Sequence, residues 1–242
     1  MSEVVREYYD EYADRQVRHG INYRHLRIMD WLRQFGLGTG SQVLEIGCGV
    51  GTQTELIAAE VRQGRILAND ISPRSVDLAR KRLAHAANVE FLVGDIIQLP
   101  VAGLFDVIVL PDVLEHIPME SHGVLFGKLA QLLAPDGCMV VNIPAAQYLE
   151  WNQRHRPDLL QVIDQPLHLA TVAQHIGAAA LYLHHVQHYS LWTNGPDAVV
   201  LVAKHYRNDL PFTPVDPPVG WAIRLRRRIA KLRGRGVDPG AA

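Results

Sequence analysis

The chain has 242 residues, 48% of them hydrophobic, enough for one substantial core with appendages and too few for two full enzyme domains. Lys and Arg (24) balance Asp and Glu (25) to a formal net charge of −1, so no overall field draws the protein to nucleic acid or an anionic membrane. Cys48 and Cys138 lie too far apart for a disulfide framework or metal-ligand spacing, the N-terminus lacks the pattern of a secretory signal, and no apolar run approaches the roughly 20 residues that cross a bilayer; a reducing, cytoplasmic location is expected.

Residues 3–35 read as two helices separated near Gly20, the second carrying Leu26, Met29, Leu32 and Phe35 at helical spacing. Segment 1–40 is expected to pack on or lid the domain that follows it, with Tyr8, Tyr9 and Tyr12 either facing an acceptor or packing the helix. From Ser41 the pattern changes to short β-rich runs, 42–46, 65–69, 89–93, 105–110 and 138–143, alternating with helical stretches near 51–61, 73–86 and 121–133. That rhythm predicts βαβ units around a mostly parallel, doubly wound sheet. Two more runs, 180–186 and 197–203, flank the turn signal Thr193-Asn194-Gly195-Pro196 and predict an antiparallel hairpin at one edge. The expected fold is α/β with seven strands over 41–205. Beyond it, Pro211, Pro214, Pro217 and Pro218 suggest a linker, and 221–235 a basic amphipathic helix with Trp221, Leu225, Ile229 and Leu232 on one face and Arg224, Arg228, Lys231 and Arg235 beside them. Such a helix could lie on the inner face of an anionic membrane or dock on its own domain.

The most informative segment runs from Val43 to Thr54, a strand entering a glycine loop and then a helix. Gly47, Gly49 and Gly51 let the backbone turn and bring a ligand close with no Cβ in the way. A dinucleotide fingerprint would place its third glycine where Thr52 stands, and Glu45 two residues before the loop disfavours phosphate and favours a cationic ligand. Asp70, followed by Ile71, ends the second strand, where a carboxylate can accept from ribose hydroxyls. Asp95 comes after the third strand, placed to accept from an exocyclic amine while Ile96 covers a base.

With these residues in view, 43–51, 65–72, 91–100, 105–117 and 132–143 resemble the successive motifs of class I S-adenosylmethionine-dependent methyltransferases. The likeness covers about residues 40–145. It implies S-adenosylmethionine as the cofactor, with Gly47, Cys48 and Gly49 at its methionine end, Glu45 orienting the loop, Asp70 and Ile71 at the ribose, and Asp95 with Ile96 at the adenine; Leu110, at the end of the fourth strand, belongs to the same set. The family's Leu-x-Pro-Gly-Gly turn stands here as Leu133-Ala134-Pro135-Asp136-Gly137.

Methyl transfer from a sulfonium needs positioning more than covalent catalysis, and a hydroxyl acceptor would gain from a base such as a neutral histidine. His116, in Leu110-Pro111-Asp112-Val113-Leu114-Glu115-His116, is the leading candidate, with loop fixation as its alternative role; His168 is the second. Asp112, Glu115 and His116 also resemble the metal ligands of ubiquinone-biosynthesis O-methyltransferases, although no metal is expected. His184 and His185, adjacent on a strand, should face opposite sides of the sheet. The acceptor is expected to be a small molecule, a glycan or a lipid-linked compound methylated at oxygen. Nucleic acid is not expected, since Leu110-Pro111-Asp112-Val113 stands where a base-flipping amine enzyme would carry Asn/Asp-Pro-Pro-aromatic. A non-catalytic S-adenosylmethionine-binding regulator and an NAD-dependent oxidoreductase are the alternative functions.

Overall fold

The computed structural model describes residues 8, 10, 13, 16–161 and 163–207. The chain divides into two units, Met1–Tyr206 and Arg207–Ala242. The proline-rich and basic segments expected at 207–220 and 221–235 lie, from residue 208 on, outside the described residues.

Residues 16–19 are helical, and Gly20, at φ +58°, breaks the chain before helix α1, Tyr23–Gln34. Asn22 caps α1 by accepting from the Arg24 and His25 amides, while the His25 ring accepts from the Asn22 amide, a reciprocal pair that satisfies donors a helix start leaves over. The buried face is Ile28, Met29, Trp31 and Leu32; Leu26, expected on it, is 47% exposed, because the stripe is set by the adjacent turn.

Strands β1 (Gln42–Ile46), β2 (Arg65–Asp70), β3 (Val89–Val93), β4 (Phe105–Pro111) and β5 (Leu133–Pro144) are parallel neighbours joined by helices α2 (Thr52–Glu60), α3 (Pro73–Arg82) and α4 (His122–Leu132). After β5 come α5 (Ala146–His155), absent from the sequence reading, and α6 (Leu169–Ala178), then β6 (Leu181–Tyr189) and β7 (Ala198–His205). The order is β3-β2-β1-β4-β5-β7-β6, with β7 inserted antiparallel between β5 and β6. The seven-stranded sheet with an antiparallel edge is the expected fold.

Alternation along the strands gives the sheet two apolar faces. Leu44, Ile46, Ile108 and Met139 pack with Phe126, Leu125 and Leu129 of α4 and Ile176 of α6; Val43, Val107, Val140 and Val200 pack with Ile28, Met29 and Leu32 of α1 and Ile57 of α2. Each such fully buried side chain stabilises by about 2 kcal/mol before conformational entropy is counted. Thus α1 is one side of the sandwich, and only its first turn and the chain just before it border the cleft at the strand ends. No described helix is long and apolar enough to cross a membrane.

One sequence expectation fails on β6. The register with β7 shifts between Leu183 and His185, a bulge that breaks strict alternation. His184 and His185 therefore both pack on the Phe35 ring, at centroid distances of 6.0 and 5.1 Å.

Candidate active site

The strand order reverses at β1, flanked by β2 and β4, and doubly wound sheets open a crevice there at the carboxyl ends of the strands. A cleft of about 340 Å³ lies at this point. Its floor is the loop after β1, where the Gly47 and Cys48 amides both donate to the Asn69 carbonyl, at 2.7 and 2.9 Å. Gly47 has φ +74°, and a Cβ there would lie 2.1 Å from Val113 Cγ2, so both conformation and space require glycine. Gly49, at φ +53°, turns its amide onto Asp70.

Asp70 closes β2. Its Oδ2 accepts from the Gly49 amide at 2.8 Å and its Oδ1 from the Ser72 amide at 2.9 Å, and each oxygen keeps a further acceptor position. Burial raises its pKa, and the Ser72 and Gly49 amides work against that. After β3, Asp95 turns the chain by accepting from the Ile97 amide at 3.0 Å, and Ile96, 3% exposed, lies beside it. Gly47, Cys48, Gly49, Asp70, Ile71, Asp95, Ile96 and His116 all line the cleft.

Two buried groups at the β1 end have no hydrogen-bond partner among the described residues. Gln53, on the first turn of α2, lines the cleft and neither atom of its side-chain amide makes a hydrogen bond. Glu45 is fully buried beneath the loop, and both its oxygens are unmatched. Burial raises its pKa to about 7; the nearby Thr54 hydroxyl works against this and the Asp70 charge with it. The unmet amide of Gln53 lines the cleft and calls for water or a ligand, whereas Glu45 lies outside the cleft wall. With the Cβ-free loop and the acceptors of Asp70 and Asp95, it fits an amino-acid-bearing nucleoside such as S-adenosylmethionine.

The opposite wall was largely missed in the sequence. Asp112, just past β4, is a non-glycine residue at φ +54°, a conformation that persists only where its surroundings hold it. Its carboxylate pairs with Arg24 Nη1 of α1 and accepts from Asn142 Nδ2 at 2.7 Å. Asn142 in turn accepts from the Tyr189 hydroxyl. This chain of contacts ties α1, β4, β5 and β6 together at the cleft.

His116 sits in a short 3-10 turn, Leu114–His116. Its Nδ1 lies 3.1 Å from Asp164 Oδ1 and contacts the Ile163 carbonyl, while Nε2 lies 3.7 Å from Glu115 Oε1. Burial would lower its pKa, but the Glu115 charge, Asp164 and the Ile163 carbonyl outweigh burial and raise it. The Nδ1 side of the ring is thus engaged by Asp164 and the Ile163 carbonyl, and its Nε2 side is turned toward Glu115. Glu115, 1% exposed, is pushed up chiefly by burial, with His116 opposing.

A second chamber of about 190 Å³ adjoins the cleft. Arg24, Asp112, His116, Gln161 and Trp192 line both, so these residues stand at the junction.

Three expected site residues lie elsewhere. Leu110 is fully buried in the core, Glu45 lies under the loop outside the cleft wall, and His168 is exposed at the start of α6, 3.1 Å from Glu150. His168 borders neither cavity because its loop turns it toward α5. Asp112 is held by Arg24 and Asn142 and His116 by Asp164, and among the described residues no group of three or more His, Cys, Asp or Glu is arranged to hold a metal ion.

Residues 43–137 match the sequence family described as a methyltransferase domain. The chain is 35% identical over 115 residues to a trans-aconitate 2-methyltransferase of Methylobacterium nodulans, covering 48% of this chain and 43% of that protein. It is 30% identical over 118 residues to nodulation protein S of Rhizobium tropici, covering 48% of each. The chain thus spans under half the length of these relatives. In fold it is similar to magnesium protoporphyrin IX methyltransferase of Synechocystis with bound S-adenosylhomocysteine (TM-score 0.66, 21% identity, 84% of this chain and 99% of that one). It is likewise similar to the N-methyltransferase NodS of Bradyrhizobium japonicum in complex with S-adenosylhomocysteine (TM-score 0.64, 22% identity, 82% and 99%).

Proposed function

We propose that this chain, whose residues 43–137 match a methyltransferase-domain family and whose fold is similar to that of solved methyltransferases, is a class I, Rossmann-like S-adenosylmethionine-dependent methyltransferase that transfers a methyl group to oxygen of a small-molecule, glycan or lipid-linked acceptor. The observation that carries this reading is the alignment of Gly47–Gly49, Asp70 and Asp95–Ile96 along one cleft, with a separate chamber meeting its end. Bound S-adenosylmethionine supplies a methyl group already activated on a sulfonium. The chain's own work is then positioning. Asp70 receives the ribose hydroxyls on the oxygen positions its two amide donors leave open. Asp95 accepts from the adenine amine while Ile96 packs on the ring. Gln53 and the bare backbone of the glycine loop hold the amino-acid end, over the buried Glu45. Arg24 and His116 face the acceptor at the junction.

The named relatives take acceptors as different as trans-aconitate and magnesium protoporphyrin IX, which supports a small-molecule acceptor without choosing one. Calorimetry with S-adenosylhomocysteine tests donor binding: heat with it and none with NAD is expected, and the reverse favours an oxidoreductase. Transfer of label from S-adenosylmethionine to a metabolite panel tests turnover; tight donor binding with no transfer favours a regulator. The basic 221–235 sequence supports a peripheral contact with anionic lipid. Co-sedimentation with phosphatidylserine vesicles is expected to capture the full chain better than residues 1–206, and equal capture removes that contact.

A further inference from the structure

The charged groups around the second chamber are committed to one another. Arg24 pairs with Asp112, which also accepts from Asn142. His116 lies against Asp164 on one side and Glu115 on the other. Asp197 caps the loop before β7, accepting from the amides of Leu191, Trp192 and Thr193 at 2.7–2.8 Å. Every charged side chain that lines the chamber thus has a partner, and none is left to select an anionic or a cationic acceptor.

The carboxamides stand differently. Asn152 lies one turn after Tyr148 on α5 and lines the chamber with it and Leu149. It is 3% exposed, yet its side-chain oxygen makes no hydrogen bond among the described residues. Gln161, which lines both cavities, has a buried side-chain oxygen in the same state, and Glu115 Oε2 is a third. Asparagine is a costly choice for a buried helix position, where leucine would pack with no polar group to satisfy, so the unmet oxygen calls for an occupant. A carboxylate brings no proton for an amide oxygen, and an ammonium would lose its hydration with no free charge to receive it. A hydroxyl both donates and accepts, so it meets an amide through either end and a carboxyl group in either protonation state. The remaining wall is largely apolar, with Tyr148, Leu149, Leu160 and Leu191 in the chamber and Trp192, 60% exposed, at the junction.

Resting on the methyltransferase reading, we propose that the second chamber binds an uncharged acceptor carrying two or more hydroxyls, which the side-chain amides of Asn152 and Gln161 hold by hydrogen bonds while its apolar side lies on Tyr148, the leucines and Trp192. Gln161, at the junction, holds the hydroxyl nearest the donor cleft. Asn152, which lines the second chamber alone, holds one farther from it. Two amides set apart in this way select by the spacing of hydroxyls on the acceptor, and the paired charges around them serve to fix the wall rather than to choose its ligand.

The test titrates the full chain, saturated with S-adenosylhomocysteine, with methyl glycosides of pentoses and hexoses and with cyclitols, against amino sugars and uronic acids on the same skeletons. Uncharged members are expected to bind, and their amine and carboxylate counterparts to bind at least several-fold more weakly. Asn152→Leu should weaken the uncharged ligands roughly 3- to 10-fold, the size of one hydrogen bond between uncharged groups. Without ligand the same variant should unfold at an equal or higher temperature than the unsubstituted chain, because an unmet polar group is gone, whereas a structural role for Asn152 would lower it. Gln161→Met should weaken the same ligands to a similar degree, and heat with S-adenosylhomocysteine reports that each variant is folded. Tighter binding of the charged counterparts, no binding of any uncharged member while S-adenosylhomocysteine binds, or an Asn152→Leu chain that keeps its affinity would overturn the proposal and leave the methyltransferase reading standing. Failure of S-adenosylhomocysteine to bind the unsubstituted chain removes both.

Discussion

The two walls of the cleft are made of different material. The donor wall uses backbone amides and short carboxylates at the tips of β1, β2 and β3, all within residues 47–96 and each braced by its neighbours. The acceptor wall uses long side chains on α1, the loop after β4, the strap before α6 and the loop before β7, held by cross-contacts between distant segments. The first wall is fixed by local geometry, the second by which strands lie side by side. One wall can therefore stay constant while the other changes acceptor, and substitutions in the two should have separable effects.

The largest expected effect is at Gly47. Gly47→Ala forces a Cβ against Val113 and a left-handed conformation on alanine, at about 2–5 kcal/mol by the usual costs of strain and overpacking. Thermal unfolding should show the loss, and calorimetry should show no heat with S-adenosylhomocysteine. Next is Asp70→Asn, which keeps the shape but exchanges a charged acceptor for a neutral amide. Affinity for S-adenosylhomocysteine should fall roughly 10- to 100-fold while acceptor binding in the chamber changes little. If both fall together, the two walls are not separable.

Tyr189→Phe probes the other wall. It deprives Asn142 of its hydroxyl donor and loosens Asp112 and Arg24, for about 1–3 kcal/mol of stability. Tyr189 does not line the donor cleft, so affinity for S-adenosylhomocysteine should hold while acceptor affinity drops.

The smallest effect is a pH dependence at the start of α1. Burial first, then the Arg24 and Arg82 charges, lowers the His25 pKa from 6.5 to about 4. The unfolded chain therefore takes up this proton first as the pH falls. The contribution is fully present above about 6.5 and is lost as the pH drops toward 4. Chemical denaturation at pH 7.5 and pH 5, compared with a His25→Gln variant, should show a shallower pH dependence in the variant.

The contrast between the walls also explains what could be read in advance. The β1 loop, Asp70 and Asp95 sit at strand ends whose positions are marked by β-rich runs, so chain order alone places them along one crevice. Arg24, Asn142, Asp164 and Tyr189 carry no such marker. Their proximity depends on the Tyr189 side chain of β6 reaching across β7 to Asn142 of β5, and on the strap 163–165 lying over Glu115 and Ile117. Asp112 is legible in part, since it follows the fourth strand as Asp70 closes the second and belongs to the Asp112, Glu115 and His116 set, but its pairing with Arg24 and Asn142 is not. His168, expected where an acceptor pocket would form, precedes α6 but borders neither cavity and lies 3.1 Å from Glu150. The His184–His185 bulge could not be anticipated from alternation, since a bulge is an exception to it.

The most direct measurement is a crystal structure of the chain with S-adenosylhomocysteine bound. The two-wall account predicts the ribose hydroxyls on Asp70, the adenine amine at Asp95, and the sulfur at the junction, facing Arg24 and His116. A nucleoside bound away from Asp70, or a sulfur directed away from the second chamber, would contradict it.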